Sequence, residues 1–200
     1  MNATTRFNPS AVMTPANALT IARIVLAPPL FAIILLADGH LGASWYAFVL
    51  GFVIALTDNF DGKLARRWGT TRSGAFLDPL ADKIVVLGVS LCLMIVDRYF
   101  WVPVAIIAVR ELAISWWRAR WARRGLAIPA RRSAKYKAVV QGIALLAAVL
   151  PPLERHALPI DILLWIAVAF TVVTGLQYAF DGQRALSHTG DHAGVLGQVE

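Results

Sequence analysis

The chain has 200 residues, of which 58% are hydrophobic and only 16% charged. Soluble domains carry roughly 45–50% apolar and about 25% charged residues, so a soluble globular enzyme is a poor match and disorder is excluded. The net charge of +7, from 19 basic and 12 acidic side chains, fits the basic cytoplasmic edge of a membrane protein better than nucleic-acid binding.

A helix crosses about 30 Å of hydrocarbon with about 20 apolar residues. Runs of this kind fall near 18–37, 43–65, 75–96, 101–117, 137–152 and 160–180. Polar residues and prolines separate them at 38–44, 97–99 and 151–159. The expected fold is all-α: a polytopic integral membrane protein with six transmembrane helices. With the N-terminus in the cytoplasm, all of the 19 basic residues except Arg98 and Arg155 fall on the cytoplasmic side. The positive-inside rule therefore predicts an N-in/C-in topology. Residues 1–184 form one expected membrane domain. Residues 185–200 are polar and are expected to form a mobile tail.

No cleavable signal peptide is expected, because the first apolar run is long and lacks an obvious small-residue cleavage site. The single cysteine, Cys92, lies mid-span and offers no disulfide framework. Trp101, Trp116, Trp117 and Trp121 sit near predicted span ends, where interfacial anchoring accounts for them.

The segment from Thr57 to Lys83 carries the chemistry. Asp58 and Asp61 are spaced i, i+3 and share one face of the second helix; Asp78 and Asp82 are spaced i, i+4 and share one face of the third. A short connection around 69–73 makes these helices antiparallel neighbours, with their acidic faces together at the cytoplasmic end. One charge inside a membrane costs at least about 2.5–3.5 kcal/mol on insertion scales, and four carboxylates in a small volume would force some to protonate. Two divalent cations remove that conflict. All-oxygen ligation favours Mg²⁺ or Mn²⁺ over zinc, and a two-metal clamp suits in-line displacement at phosphorus. Gly62 and Ala65 keep the same helix face small, so a ligand can approach the backbone closely. Arg66 can clamp a phosphate bidentately. Gly74 opens the third helix, and Thr71 or Ser73 offers a hydroxyl or a cap.

The pattern Asp58-x-x-Asp61-Gly62-x-x-Ala65-Arg66, then Gly74-x-x-x-Asp78-x-x-x-Asp82, resembles the signature of the CDP-alcohol phosphotransferases. The interhelical stretch from Arg67 to Ser73 is one residue shorter than the usual pattern. The resemblance implies a membrane enzyme, commonly a homodimer, in which Asp58, Asp61, Asp78 and Asp82 ligate two metal ions. It implies that Asp82 also takes the acceptor hydroxyl's proton. It places Gly62, Arg66 and Thr71 on the CDP moiety, and Asn17–Thr20 at the entry to the first helix beside the cytidine. The implied reaction transfers a phosphatidyl group from CDP-diacylglycerol to an alcohol and releases CMP.

Acceptor identity rests on the remaining polar residues. Arg110, Lys135 and Lys137 lie at predicted cytoplasmic helix ends near the acids, and cations there suit an anionic acceptor. Glu111 is the expected ion-pair partner of Arg110. Other cations between Arg120 and Arg132 serve cytoplasmic anchoring. The segments PANALTIARIVLAP, DNFDGKLARRW, GAFLDPLADK, VRELAISWWR and AKYKAVVQ resemble the family branch that uses sn-glycerol 3-phosphate. In that branch Arg110, Arg118, Lys135 and Lys137 would form the acceptor-phosphate pocket. The site would face the cytoplasm of a bacterial cell membrane, with membrane lipid around it and no nucleic-acid partner. The alternatives within the family take phosphatidylglycerol or inositol phosphate. Outside it, an intramembrane cation-binding or transport protein would also explain four membrane acids, but would gain nothing from an Arg66 clamp.

Overall fold

The buried residues of the first helix, Thr20, Arg23, Ala27, Leu30 and Ile34, recur every three or four positions, the spacing of one helix face. The same logic shapes the whole chain. The structure is a computed structural model that describes the backbone of residues 15–68, 74–122 and 132–196, and the side chains of 18–57, 79–117, 119–120 and 135–178. Six α-helices follow one another: α1 (Pro15–Leu36), α2 (Trp45–Trp68), α3 (Gly74–Ile95), α4 (Trp101–Ala122), α5 (Arg132–Ala148) and α6 (Ala157–Leu196). Single 3-10 turns stand at Asp38–His40 and Pro151–Leu153. No strand occurs among the described residues. The helical backbone of α6 runs on to Leu196, into the segment whose composition suggested a polar tail.

The 22 residues of α1 span about 33 Å at 1.5 Å per residue, enough to cross a bilayer core. Two described stretches, Ala18–Leu36 and Ala157–Tyr178, are long and apolar enough to span a membrane. Pro28 and Pro29 lie inside α1 and Pro79 inside α3. Each lacks an N–H, a loss that helices in membranes tolerate when neighbouring elements re-satisfy the freed carbonyls.

Among the described residues, α1 packs most extensively against α3 and α2, and α5 against α6; α4 leans on α6. The short α2–α3 connection led to the expectation of direct side-by-side packing of those two helices. Among the described residues α1 contacts both helices; the side chains of 58–78, where α2 and α3 would face each other, lie outside the described residues. α1 comes close to α3 at Gly88, where a Cβ would lie 2.2 Å from Cζ of Phe31. Only a residue without a side chain admits the ring there. One apolar cluster, including Leu30, Ile34, Val89, Leu93, Ile107, Leu164 and Val168, joins α1, α3, α4 and α6.

The outward faces are as apolar as the inward ones. Val25, Phe52, Leu91, Val109, Ile143 and Trp165, on six different helices, are all exposed. Water would not tolerate such a surface around the whole bundle. It is the exterior of a membrane protein, with lipid taking the place of solvent.

The end of the bundle opposite the acidic motif is closed by short, hydrogen-bonded connections. Ser44 N–H donates to Val149 O at 3.0 Å, and the Tyr99 hydroxyl donates to Ala144 O at 2.8 Å. Arg98, counted above as one of two cations on the outer side, is buried. Its Nη1 and Nη2 donate to the carbonyls of Glu154 and Leu153, each at 2.7 Å. Burial draws the Arg98 pKa down, opposed by the fields of Tyr99, Asp161 and Glu154. Arg98 is thus a staple between two loops, not a free surface charge.

Candidate active site

The inward stripe of α5 comprises Lys137, Gln141, Ala144 and Ala148. It begins polar and ends small. The inward stripe of α4 runs from Val104 through Ile107 to Glu111. Arg23 is the polar member of the corresponding stripe of α1. Because α1 and α5 enter the bundle at the end where α4 leaves it, these polar positions meet at one end.

They line a cavity of about 540 Å³. Arg23, Asp82, Glu111, Lys135, Lys137 and Gln141 contribute its polar walls. Leu30, Ile54, Val85, Val89, Ile143, Leu146 and Val149 continue it as an apolar channel between α1, α2, α3 and α5. A ligand that fits such a space has a charged head and an apolar body.

The electrostatic centre is Glu111, which is 9% exposed. Its Oε1 accepts from Arg110 Nη1 at 2.9 Å and from Lys137 Nζ. The ion pair expected between Arg110 and Glu111 is therefore present, and Lys137 joins it. Arg110 also reaches across to α6. Its Nε donates to Thr171 O at 3.1 Å and its Nη2 to the Thr174 hydroxyl oxygen at 2.8 Å. The Thr174 hydroxyl in turn donates to Phe170 O at 2.7 Å. Gly175 makes room for this arginine: a Cβ there would lie 3.3 Å from Arg110 Cγ. One guanidinium thus ties α4 to α6, and one carboxylate ties α4 to α5. Two cations share a single anion, which leaves the cluster positive, as an anionic ligand requires.

The predicted site residues divide as follows. Asp82 is exposed and lines the cavity, within electrostatic reach of Lys137. Lys135 and Lys137 line it too, the first exposed and the second buried. Arg110 acts on the cavity through Glu111. Thr20 lies fully buried on the inward face of α1, three residues before Arg23. Asn17 falls in α1, Asp58, Asp61, Gly62, Ala65 and Arg66 in α2, Gly74 and Asp78 in α3, and Arg118 in α4. Their side chains lie outside the described residues, and Thr71 lies outside them altogether. Among the described residues no three metal-ligating side chains cluster; of the four expected carboxylate ligands, only Asp82 is described.

Sequence reasoning counted Arg23 only as a cytoplasmic charge and passed over Gln141. The available signal was the same for both: a strongly polar side chain inside an apolar run, which in a membrane helix faces the bundle interior.

Fold and site together define an all-helical membrane protein with a cationic pocket opening into an apolar channel. The model of the CDP-alcohol phosphatidyltransferase family matches residues 13–173, and the chain belongs to that family. It is 37% identical over 184 residues to the probable phosphatidylglycerophosphate synthase of Mycobacterium tuberculosis, covering 88% of this chain and 83% of that one. It is 37% identical over 186 residues to the CDP-diacylglycerol–glycerol-3-phosphate 3-phosphatidyltransferase of Bacillus subtilis, covering 85% and 95%. A protein of the same name from Rickettsia typhi is 36% identical over 168 residues, covering 81% and 93%.

Proposed function

We propose that this chain transfers the phosphatidyl group of CDP-diacylglycerol to sn-glycerol 3-phosphate, giving phosphatidylglycerophosphate and CMP. The observation that carries the proposal is the two-part cavity, whose cationic end suits phosphates and whose apolar channel suits an acyl chain. The names of the relatives support the same substrates.

In this reading Lys135 and Lys137 hold the acceptor's phosphate with Arg118, and Arg110, expected from the sequence to join them, supports the pocket through Glu111. The acceptor oxygen attacks the phosphatidyl phosphorus, the bond from that phosphorus to CMP breaks, and the hydroxyl proton passes to Asp82. Gly62, Ala65, Arg66, Thr71 and Gly74, with Asn17 and Thr20, hold the nucleotide-linked lipid. The donor set fits a hard cation, since Asp82 brings an oxygen ligand to the cavity and the other three expected ligands are also carboxylates. Asp58, Asp61, Asp78 and Asp82 would hold two Mg²⁺ or Mn²⁺ ions. When bound, these supply charge neutralisation for the pyrophosphate and the departing CMP.

The same reading makes residues 1–184 one domain of six transmembrane spans in a bacterial cytoplasmic membrane, N-in/C-in, with the cavity's polar end at the cytoplasm. The confinement of Arg98 to a loop staple supports that orientation, since it removes one of the two exceptions to the positive-inside pattern. The family resemblance supports a homodimer.

An acceptor panel tests the proposal. Purified protein with CDP-diacylglycerol and Mg²⁺ is given glycerol 3-phosphate, phosphatidylglycerol or inositol phosphate, and CMP is measured. Release is expected with the first alone. Release with either of the others reassigns the branch. Cation flux in liposomes without any CMP release contradicts the enzyme reading.

A further inference from the structure

We infer that Gln141 is a specificity-determining residue, whose side-chain amide donates a hydrogen bond to an uncharged glyceryl oxygen of the bound substrate. This rests on the function proposed above.

Gln141 is only 3% exposed, and its Nε2 is buried without a hydrogen-bond partner. A buried unsatisfied donor is costly and uncommon in folded proteins. This one lines the cavity, so the place where a partner can arrive is the ligand space itself. Its height along α5 suggests what that partner is. Lys137 lies four residues earlier on the same buried stripe, about 6 Å along the axis. If Lys137 holds a phosphate, Gln141 stands at the level of the hydroxyls or esters of the adjoining three-carbon unit.

The surroundings beyond Gln141 do not suit a second anion. Beyond Gln141 the walls are Ile143, Leu146 and Val149 from α5, with Ile54 from α2. Charge there would be desolvated without compensation, whereas a neutral amide and a neutral oxygen satisfy each other. Gln141 therefore marks the boundary between the cationic head site and the apolar channel. The glyceryl oxygen has two sources: a hydroxyl of the acceptor or an ester carbonyl of the lipid donor.

Steady-state kinetics on the full-length protein in detergent, wild type against Gln141→Met, separates these. Methionine keeps the length of the side chain and removes the orphan donor, so the thermal midpoint should hold or rise while substrate binding weakens. A KM raised about tenfold, the scale of one buried hydrogen bond, is expected for one substrate. If that substrate is glycerol 3-phosphate, the wild type should also discriminate against its 2-deoxy analogue, and the variant should not. If it is CDP-diacylglycerol, the wild type should discriminate against the dialkyl-ether analogue, and the variant should not. Unchanged KM for both substrates, or a loss of kcat that merely follows a lowered thermal midpoint, overturns the inference. Wild-type protein that uses both analogues as well as the natural substrates overturns it without any variant. Failure of the wild type to release CMP with glycerol 3-phosphate is a different result, and refutes the function on which the inference rests.

Discussion

Replacing Glu111 by Gln changes one atom and removes the only anion from the buried Arg110–Glu111–Lys137 triad. The amide oxygen can still accept from both donors, so the substitution isolates charge from geometry. The side chains of Lys137 and Arg110 are 9% and 13% exposed, so water cannot take over the carboxylate's role. Breaking a buried pair by removing one partner costs about 3–5 kcal/mol. Arg110 keeps Thr171 O and the Thr174 hydroxyl as acceptors, which places this substitution at the lower end, about 3 kcal/mol. For a chain of this size about 2–4 °C is lost per kcal/mol, so the thermal midpoint should fall by about 6–12 °C. The assay is thermal unfolding in one detergent at one scan rate, since membrane proteins unfold irreversibly and the midpoint then depends on rate. The double variant Glu111→Gln/Lys137→Met removes the stranded cation and should recover at least half of the loss. A midpoint within 2 °C of wild type for Glu111→Gln, or strictly additive effects in the double variant, would refute the triad as the tie between α4 and α5.

Gly88→Ala places a methyl carbon 2.2 Å from Phe31 Cζ. Overpacking of about 1–3 kcal/mol outweighs the helix-propensity gain of up to about 1 kcal/mol, so stability should fall. Phe31→Leu should relieve the clash when combined with it, and a Gly88→Ala protein as stable as wild type would deny the close α1–α3 approach. Lys135→Ala should raise the KM for glycerol 3-phosphate about three- to fivefold, a modest factor because Lys135 is exposed and solvent screens its charge. The KM for CDP-diacylglycerol should stay unchanged, and equal effects on both would remove Lys135 from the acceptor pocket.

The six helices were legible because each apolar run exceeds what a loop can carry. Their ends were less so. Hydropathy marks the run from 101 to 117, but α4 continues to Ala122. It marks the run from 137, but α5 begins at Arg132. Apolar runs report the thickness of hydrocarbon, whereas backbone hydrogen bonding continues into the polar zone wherever nothing interrupts it. The Arg110–Glu111 pair was readable because the two residues adjoin in sequence. The link from Arg110 to Thr171 and Thr174, 61 and 64 positions away, was not. It depends on how α4 and α6 are rotated about their axes, which no spacing within either helix specifies. The contacts of α1 with both α2 and α3 were hidden for the same reason.

The most direct test of the account is acceptor-dependent release of CMP from CDP-diacylglycerol by the purified protein, followed through removal and return of divalent cation. CMP and phosphatidylglycerophosphate should form in equal amounts only when glycerol 3-phosphate is present. Both should disappear on chelation and return with Mg²⁺ or Mn²⁺. CMP release that needs no acceptor, or that persists with all divalent cation removed, would contradict the proposed chemistry of this cavity.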